Sequence, residues 1–162
     1  MEIKYLFYLQ YAVARVNSVE IYQGNLDASK IYDDWYNRYK SSNYGAFITF
    51  TGIIRDEDEI DGLSFDVYEP MLNQWFEKEQ EKVKKDNAII IMAHSVGDVM
   101  LCESSFVCAV LSPKRRVALE LIDTFVENFK ANAPIWKYDL RKSERIFAKD
   151  RSHVLDGAGI LS

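Results

Sequence analysis

Cysteine, histidine and proline are scarce in this chain of 162 residues, which has two, two and three of them. Cys102 and Cys108 form no Cys-x-x-Cys, and His94 and His153 form no His-x-x-x-His. That ligand set argues against a structural zinc site, and no metal is expected. The cysteines lie six apart in one expected strand, hence on one face, and read as reduced thiols in a reducing cytoplasm. Glycine-rich phosphate loops and the Gly-x-Gly-x-x-Gly fingerprint are absent. So are repeats, low-complexity tracts and interdomain linkers. An excess of cations is missing as well: the formal charge is −5 and the pI about 5.1. Sequence-independent nucleic-acid binding needs a basic footprint, so nucleic acid is not an expected partner. No apolar run is long enough to span a membrane. Residues 5–14 follow Lys4 and faintly resemble a secretory leader, but the run is short and carries Gln10 and three tyrosines. They read instead as an added strand or an extension, so residues 1–18 are set apart from a single domain at 19–162.

What is present suits one globular core. Apolar residues make up 48% of the chain, enough for a full core at this length. A short strand is expected at residues 19–23. Asp27 reads as the N-cap of a helix with Ile31, Trp35 and Tyr39 on one face. Residues 46–54 read as a buried strand and residues 63–67 as a half-buried one. Pro70 opens a second helix, with Leu72, Trp75, Phe76, Glu79 and Val83 on its inward and bordering faces. Residues 88–94 read as an apolar strand, Val96-Gly97-Asp98-Val99 as a turn, and residues 100–111 as the next strand. A long helix starts at Pro113, capped by Ser112, and presents Ala118, Leu121, Ile122, Phe125 and Phe129 as a 3.6-residue stripe. Residues 135–140 are expected to be extended after Pro134. Strands outnumber helices and two pairs look hairpin-like, so the fold class is α+β with a mostly antiparallel or mixed sheet.

Four stretches carry candidate chemistry. Lys114, Arg115 and Arg116 crowd the start of the long helix, where the dipole disfavours cations; an anion gathered by them and by the free N–H groups resolves that conflict. Lys130 and Lys137 frame Ala-Asn-Ala-Pro-Ile-Trp. By spacing alone they read as a helix-end lysine and a strand lysine, and they converge only if Asn132-Ala133-Pro134 turns the chain back. Together they would stabilise an anionic intermediate or supply a neutral amine. Arg55 ends an apolar strand and would complete a phosphate-sized site if it shared a cleft with Lys114 and Arg115. His94, at the end of a buried strand, reads as a core histidine satisfied by hydrogen bonds. Ser104 and Ser105 have no histidine and acid at a recognisable spacing.

These stretches resemble the large, catalytic subunit of molybdopterin synthase. The resemblance rests on Gly45-Ala-Phe-Ile-Thr-Phe-Thr-Gly-Ile-Ile-Arg55, Tyr68-Glu69-Pro70-Met71, His94-Ser95-Val96-Gly97-Asp98, Ser112-Pro113-Lys114-Arg115-Arg116 and Phe129-Lys130-Ala-Asn-Ala-Pro134-Ile-Trp-Lys137, in that order. It implies an α/β-hammerhead fold and a homodimer within a heterotetramer. The partner would be a small ubiquitin-like sulfur carrier whose C-terminal Gly-Gly ends in a thiocarboxylate. The substrate would be cyclic pyranopterin monophosphate, the product the molybdopterin dithiolene, and no cofactor is required because sulfur arrives on the partner. It implies catalytic roles for Lys130 and Lys137, and substrate binding by Arg55, Lys114 and Arg115, some of them from the other protomer. A tail cation, Arg151 or Lys149, would complete the pocket. The chain departs from the family at Lys114, where many relatives carry histidine, and at Ser95, where many carry arginine. Two other readings stand beside this one: a docking module for a ubiquitin-like protein without chemistry, and a binder of another phosphorylated small molecule.

Overall fold

The computed structural model describes residues 18–148; the expectations for residues 1–17 and for Lys149, Arg151 and His153 lie outside the described residues. In chain order the elements are β1 (Glu20–Gln23), α1 (Ala28–Tyr39), β2 (Ala46–Ile53), β3 (Gly62–Val67), α2 (Glu69–Val83), a short 3-10 turn (Lys84–Asp86), β4 (Ile89–Met100), β5 (Ser104–Ser112), α3 (Arg115–Asn132), β6 (Ile135–Arg141) and β7 (Glu144–Phe147). The strands run in the order β2-β5-β4-β3-β6-β7, with β1 beside β4. Only β1–β4 is parallel; the other neighbours are antiparallel, giving the α+β architecture expected of the sequence.

Local chemistry explains the helices. The Asp27 carboxylate accepts the Lys30 backbone N–H at 3.1 Å and starts α1 as anticipated. Ile31, Trp35 and Tyr39 are its buried residues. Glu20 of β1 accepts from the Trp35 indole at 3.2 Å and from Arg38 at 3.0 Å, tying α1 to the sheet. In α2 the proline stands in the first turn, and Leu72 and Phe76 are fully buried. The Gln80 amide bonds both the N–H and the carbonyl of Ile90, pinning α2 to β4.

The sheet separates two apolar layers. Ile90, Met92, Phe106, Cys108 and Val110 pack with α2 and α3, through Leu72, Phe76, Ala118 and Phe125. Ile91, Ala93, Val107, Ala109 and Leu111 face α1 through Ile31, Trp35 and Tyr39. This alternation is the period-two pattern of strands buried on both faces.

Four expectations need correction. Gly97 does not end a strand: β4 runs on to Met100, and φ of +79° at Gly97 lets it leave β5 and pair with β3. The turn falls at residues 101–103. Cys102 lies there, exposed and at φ +67°, so it does not share a strand face with buried Cys108. The long helix begins at Arg115 rather than Pro113. Ser112 closes β5, and its Oγ accepts the Lys114 N–H at 3.2 Å in a local turn instead of capping the helix. Strand β2 is not buried: it is an outer strand, and Thr49, Thr51 and Ile53 are exposed.

Candidate functional site

The chain does turn back after α3. The Ala133 N–H bonds the Phe129 carbonyl at 3.0 Å, the Ile135 N–H bonds the Ala133 carbonyl at 2.8 Å, and Pro134 between them is buried. Strand β6 then enters the sheet beside β3, with Ile135 opposite Val67 and Lys137 opposite Phe65. Residues directly opposite in an antiparallel pair project to the same face, so Lys137 and Phe65 share one.

That face leads to an aromatic cluster around His94. Phe65 meets the imidazole edge-on at 5.0 Å between centroids. Phe129 lies 5.7 Å from His94 and stacks on Phe106 at 4.0 Å with only 2° between the planes. Lys130 is the residue after Phe129, in the last turn of α3, where the carbonyl ends favour a cation. The two lysines are therefore carried by neighbours of one aromatic platform, Lys130 by Phe129 and Lys137 by the cross-strand partner Phe65. Lys130 is exposed and Lys137 half-buried.

His94 is a floor of this platform rather than an acid or base. It is buried, and its Nδ1 lies 2.7 Å from the Ser95 carbonyl. Burial pushes its pKa down to about 4, only partly offset by that hydrogen bond. The folded value lies below the unfolded one, so the unfolded chain takes up the proton first. Stability from this residue is full above about pH 6.5 and is lost as pH falls toward 4. Between pH 7 and pH 5 the loss amounts to about 2 kcal/mol. In urea unfolding, His94→Gln should lack this component of the acid destabilisation; an unchanged pH slope would contradict it.

Arg55 joins the same half of the molecule. Ile54 packs in a small buried cluster with Phe65 and Val99, against which Ile135 also lies. The Arg55 side chain is 82% exposed and pairs with Glu57 at 2.5 Å. Lys114 and Arg115 are elsewhere. They stand at the other end of α3, beside the start of β2, where Ala46 pairs with Ser112. A Cβ on Gly45 would lie 2.7 Å from the Pro113 carbonyl oxygen, so glycine permits this close approach. From Arg115 to Lys130 the helix rises about 22 Å. Lys130 thus stands at the far end of α3 from Lys114, Arg115 and Arg116, and Arg55 follows Ile54 of the Phe65 cluster.

Among the described residues no cluster of three His, Cys, Asp or Glu side chains could hold a metal ion. Two surface hollows, of about 280 and 480 Å³, are lined by the Tyr36–Phe47 region and by Tyr68–Glu77, and neither includes a candidate lysine. No described helix is long and apolar enough to cross a membrane. Sequence reasoning missed the platform itself. Phe129 read as part of a helix stripe and Phe65 and Phe106 only as lying within expected strands, and tertiary pairing alone shows that they meet.

Residues 22–132 match the family model described as MoaE protein. Over 144 residues the chain is 49% identical to the molybdopterin synthase catalytic subunit of Helicobacter pylori strain 26695, covering 89% of this chain and 99% of that protein. It is 30% identical to the subunit of the same description from Thermoplasma volcanium, over 66% of this chain and 82% of that protein. Among solved structures, the protein–protein complex of subunits 1 and 2 of molybdopterin-converting factor from H. pylori 26695 matches with a TM-score of 0.81 at 49% identity, over 89% of this chain and 99% of that one. Molybdopterin synthase from Staphylococcus aureus matches with a TM-score of 0.70 at 20% identity, over 83% of this chain and 97% of that one, a likeness of fold.

Proposed function

Because the chain belongs to the MoaE family and is a catalytic subunit of molybdopterin synthase, we propose that its platform lysines work on a thiocarboxylate brought by a small ubiquitin-like partner. The partner's C-terminal Gly-Gly tail delivers the sulfur, and cyclic pyranopterin monophosphate receives it. Each transfer moves one sulfur to the pterin while a water supplies the oxygen that leaves the partner's tail as a carboxylate, so two partner molecules are consumed per dithiolene. The observation that supports this reading is that Lys130 follows Phe129 and Lys137 pairs with Phe65, two rings that both meet His94. An extended tail seated there meets two cations over an apolar floor, which suits a thiocarboxylate held near charge that builds up during transfer.

Arg55, Lys114 and Arg115 bind the anionic part of the substrate, and the tail residue Arg151 adds a further cation. The free N–H groups at the start of α3 support the role of Lys114 and Arg115, since they attract a phosphate with those side chains. Lys114 binds rather than shuttles protons, because a lysine there gives a compact charge. The domain spans residues 19–162, the working assembly is a homodimer within a heterotetramer, and the compartment is the cytoplasm.

Reconstitution tests the proposal. The protein is mixed with thiocarboxylated partner and the cyclic pterin, and the oxidised, fluorescent pterin product is measured. Product no higher than in the partner-only control would end the claim. In the same assay Lys114→Ala should raise the substrate dissociation constant about tenfold, the effect of losing one charge-assisted hydrogen bond. An unchanged affinity would remove Lys114 from the anion site.

A further inference from the structure

The end of α1 and the start of β2 enclose a hollow of about 280 Å³ that the platform lysines do not line. Tyr36, Tyr39 and Lys40 border it from the helix, Phe47 and Leu111 from the sheet, and Tyr44 from the loop between. Phe47 and Leu111 are a cross-strand pair, so both project toward α1. Tyr36 meets Phe47 edge-on at 6.2 Å and stacks with Tyr32 at 5.9 Å, yet Tyr36 is 46% exposed. Rings that pack together on one side and stay open on the other offer a surface on which a further flat ring can stack.

Tyr39 supplies a polar group. It is 2% exposed, and its hydroxyl has no hydrogen-bond partner among the described residues. Burial pushes its pKa up, the Arg38 guanidinium offsets part of that, and Tyr44, on the same hollow, raises it again. Arg38 cannot satisfy the phenol proton, because a guanidinium only donates, and this one donates to Glu20 at 3.0 Å. A buried O–H without an acceptor destabilises the chain that carries it, and an acceptor brought from outside removes that penalty. The volume is just under the usual range of small-molecule sites, which suits a pair of fused rings better than a whole nucleotide. The hollow also lies at the C-terminal end of α1, where the dipole is partly negative and a neutral ring is favoured over an anion.

We propose that this hollow is a ligand site separate from the sulfur-transfer site, for a neutral, planar, fused-ring compound that presents a carbonyl oxygen to the Tyr39 hydroxyl and stacks beside Tyr36. Oxopurines have this chemistry. The aromatic walls select the flat ring, and the Tyr39 O–H selects the acceptor on its edge. Occupancy needs neither the sulfur-carrying partner nor Lys130 and Lys137, so the site stands or falls apart from the sulfur-transfer reading.

Titration of the full chain with hypoxanthine, followed by saturation-transfer NMR, tests the site. A ligand of about ten non-hydrogen atoms should bind with a Kd of about 0.1–1 mM. Tyr39→Phe should weaken binding about fivefold, the loss of one hydrogen bond between neutral groups. Tyr36→Ala, at an exposed position, should weaken it by a similar factor through lost stacking. Indole, a fused ring of like size without a carbonyl, should bind the Tyr39→Phe and unmodified chains equally. With no ligand present, Tyr39→Phe should leave the urea midpoint unchanged or raise it, because it deletes a buried donor that lacks an acceptor. No binding of hypoxanthine at about 5 mM, equal affinity for the Tyr39→Phe chain, or a lowered midpoint overturns the site; the last would mean that the folded chain or a trapped water already accepts the proton. Lys130→Ala should bind hypoxanthine normally. Loss of binding in that variant would place the ring on the lysine platform and overturn the separate site, while leaving the sulfur-transfer assignment standing.

Discussion

Lys130→Ala is expected to lower turnover by about 10²–10³-fold, the effect of removing one preorganised charge stabiliser. Partner binding and the unfolding midpoint should stay near their normal values. The residue is exposed, so its removal creates no cavity, while its neighbour Phe129 remains stacked on Phe106. Single-turnover assays with saturating partner would show the loss in the chemical step. Lys130→Arg should recover little, because a broad planar guanidinium does not reproduce a compact ammonium. A rate within a few-fold of normal would take Lys130 off the catalytic list and leave Lys137 to carry the charge alone.

The largest stability effect is expected at Phe106→Ala, at about 3–5 kcal/mol, because this ring is buried and cannot be replaced by water. Phe106 touches Phe50, His94 and Phe129 at 5.9, 6.0 and 4.0 Å between ring centroids. Its removal opens a void beneath the platform as well as in the core. Turnover should therefore fall too, through a loosened Phe129 and the lysine beside it, while substrate affinity at the Lys114 end is less affected. Phe106→Leu should recover most of the stability and only part of the turnover. Urea unfolding and steady-state rates on the same samples separate the two effects. A loss below about 1 kcal/mol for the alanine variant would show that the platform is not packed as described.

Much of the fold was legible because the relevant physics is local. Asp27 capped its helix, the Ile31-Trp35-Tyr39 spacing marked its inner face, and Pro134 ended the long helix, each through a preference that acts over four residues or fewer. The failures share a cause. Val96-Gly97-Asp98 has a turn-like composition, yet here the same glycine bends a strand from one neighbour to the next. Ser112-Pro113 has the composition of a helix start, yet Ser112 was already taken by β5. In both cases long-range strand pairing outweighed a short-range signal.

The candidate site divides the same way. Which side chains could hold an anion was readable from their charge and setting: cations in the first turn of α3, and lysines framing Ala-Asn-Ala-Pro-Ile-Trp. The α+β class and the absence of metal-ligand spacing were also matters of composition and pattern. The sequence by itself could not say that Phe65 and Phe129, the neighbours of Lys137 and Lys130, meet around His94, because they are 64 residues apart. Nor could it say that β2 is an outer strand, or that Arg55 and Lys114 stand at opposite ends of it. Strand order is decided by which apolar faces close against each other, a property of the whole sheet. That order set Lys137 beside Phe65, put Arg55 and Lys114 at opposite ends of β2, and left that strand at the edge of the described sheet.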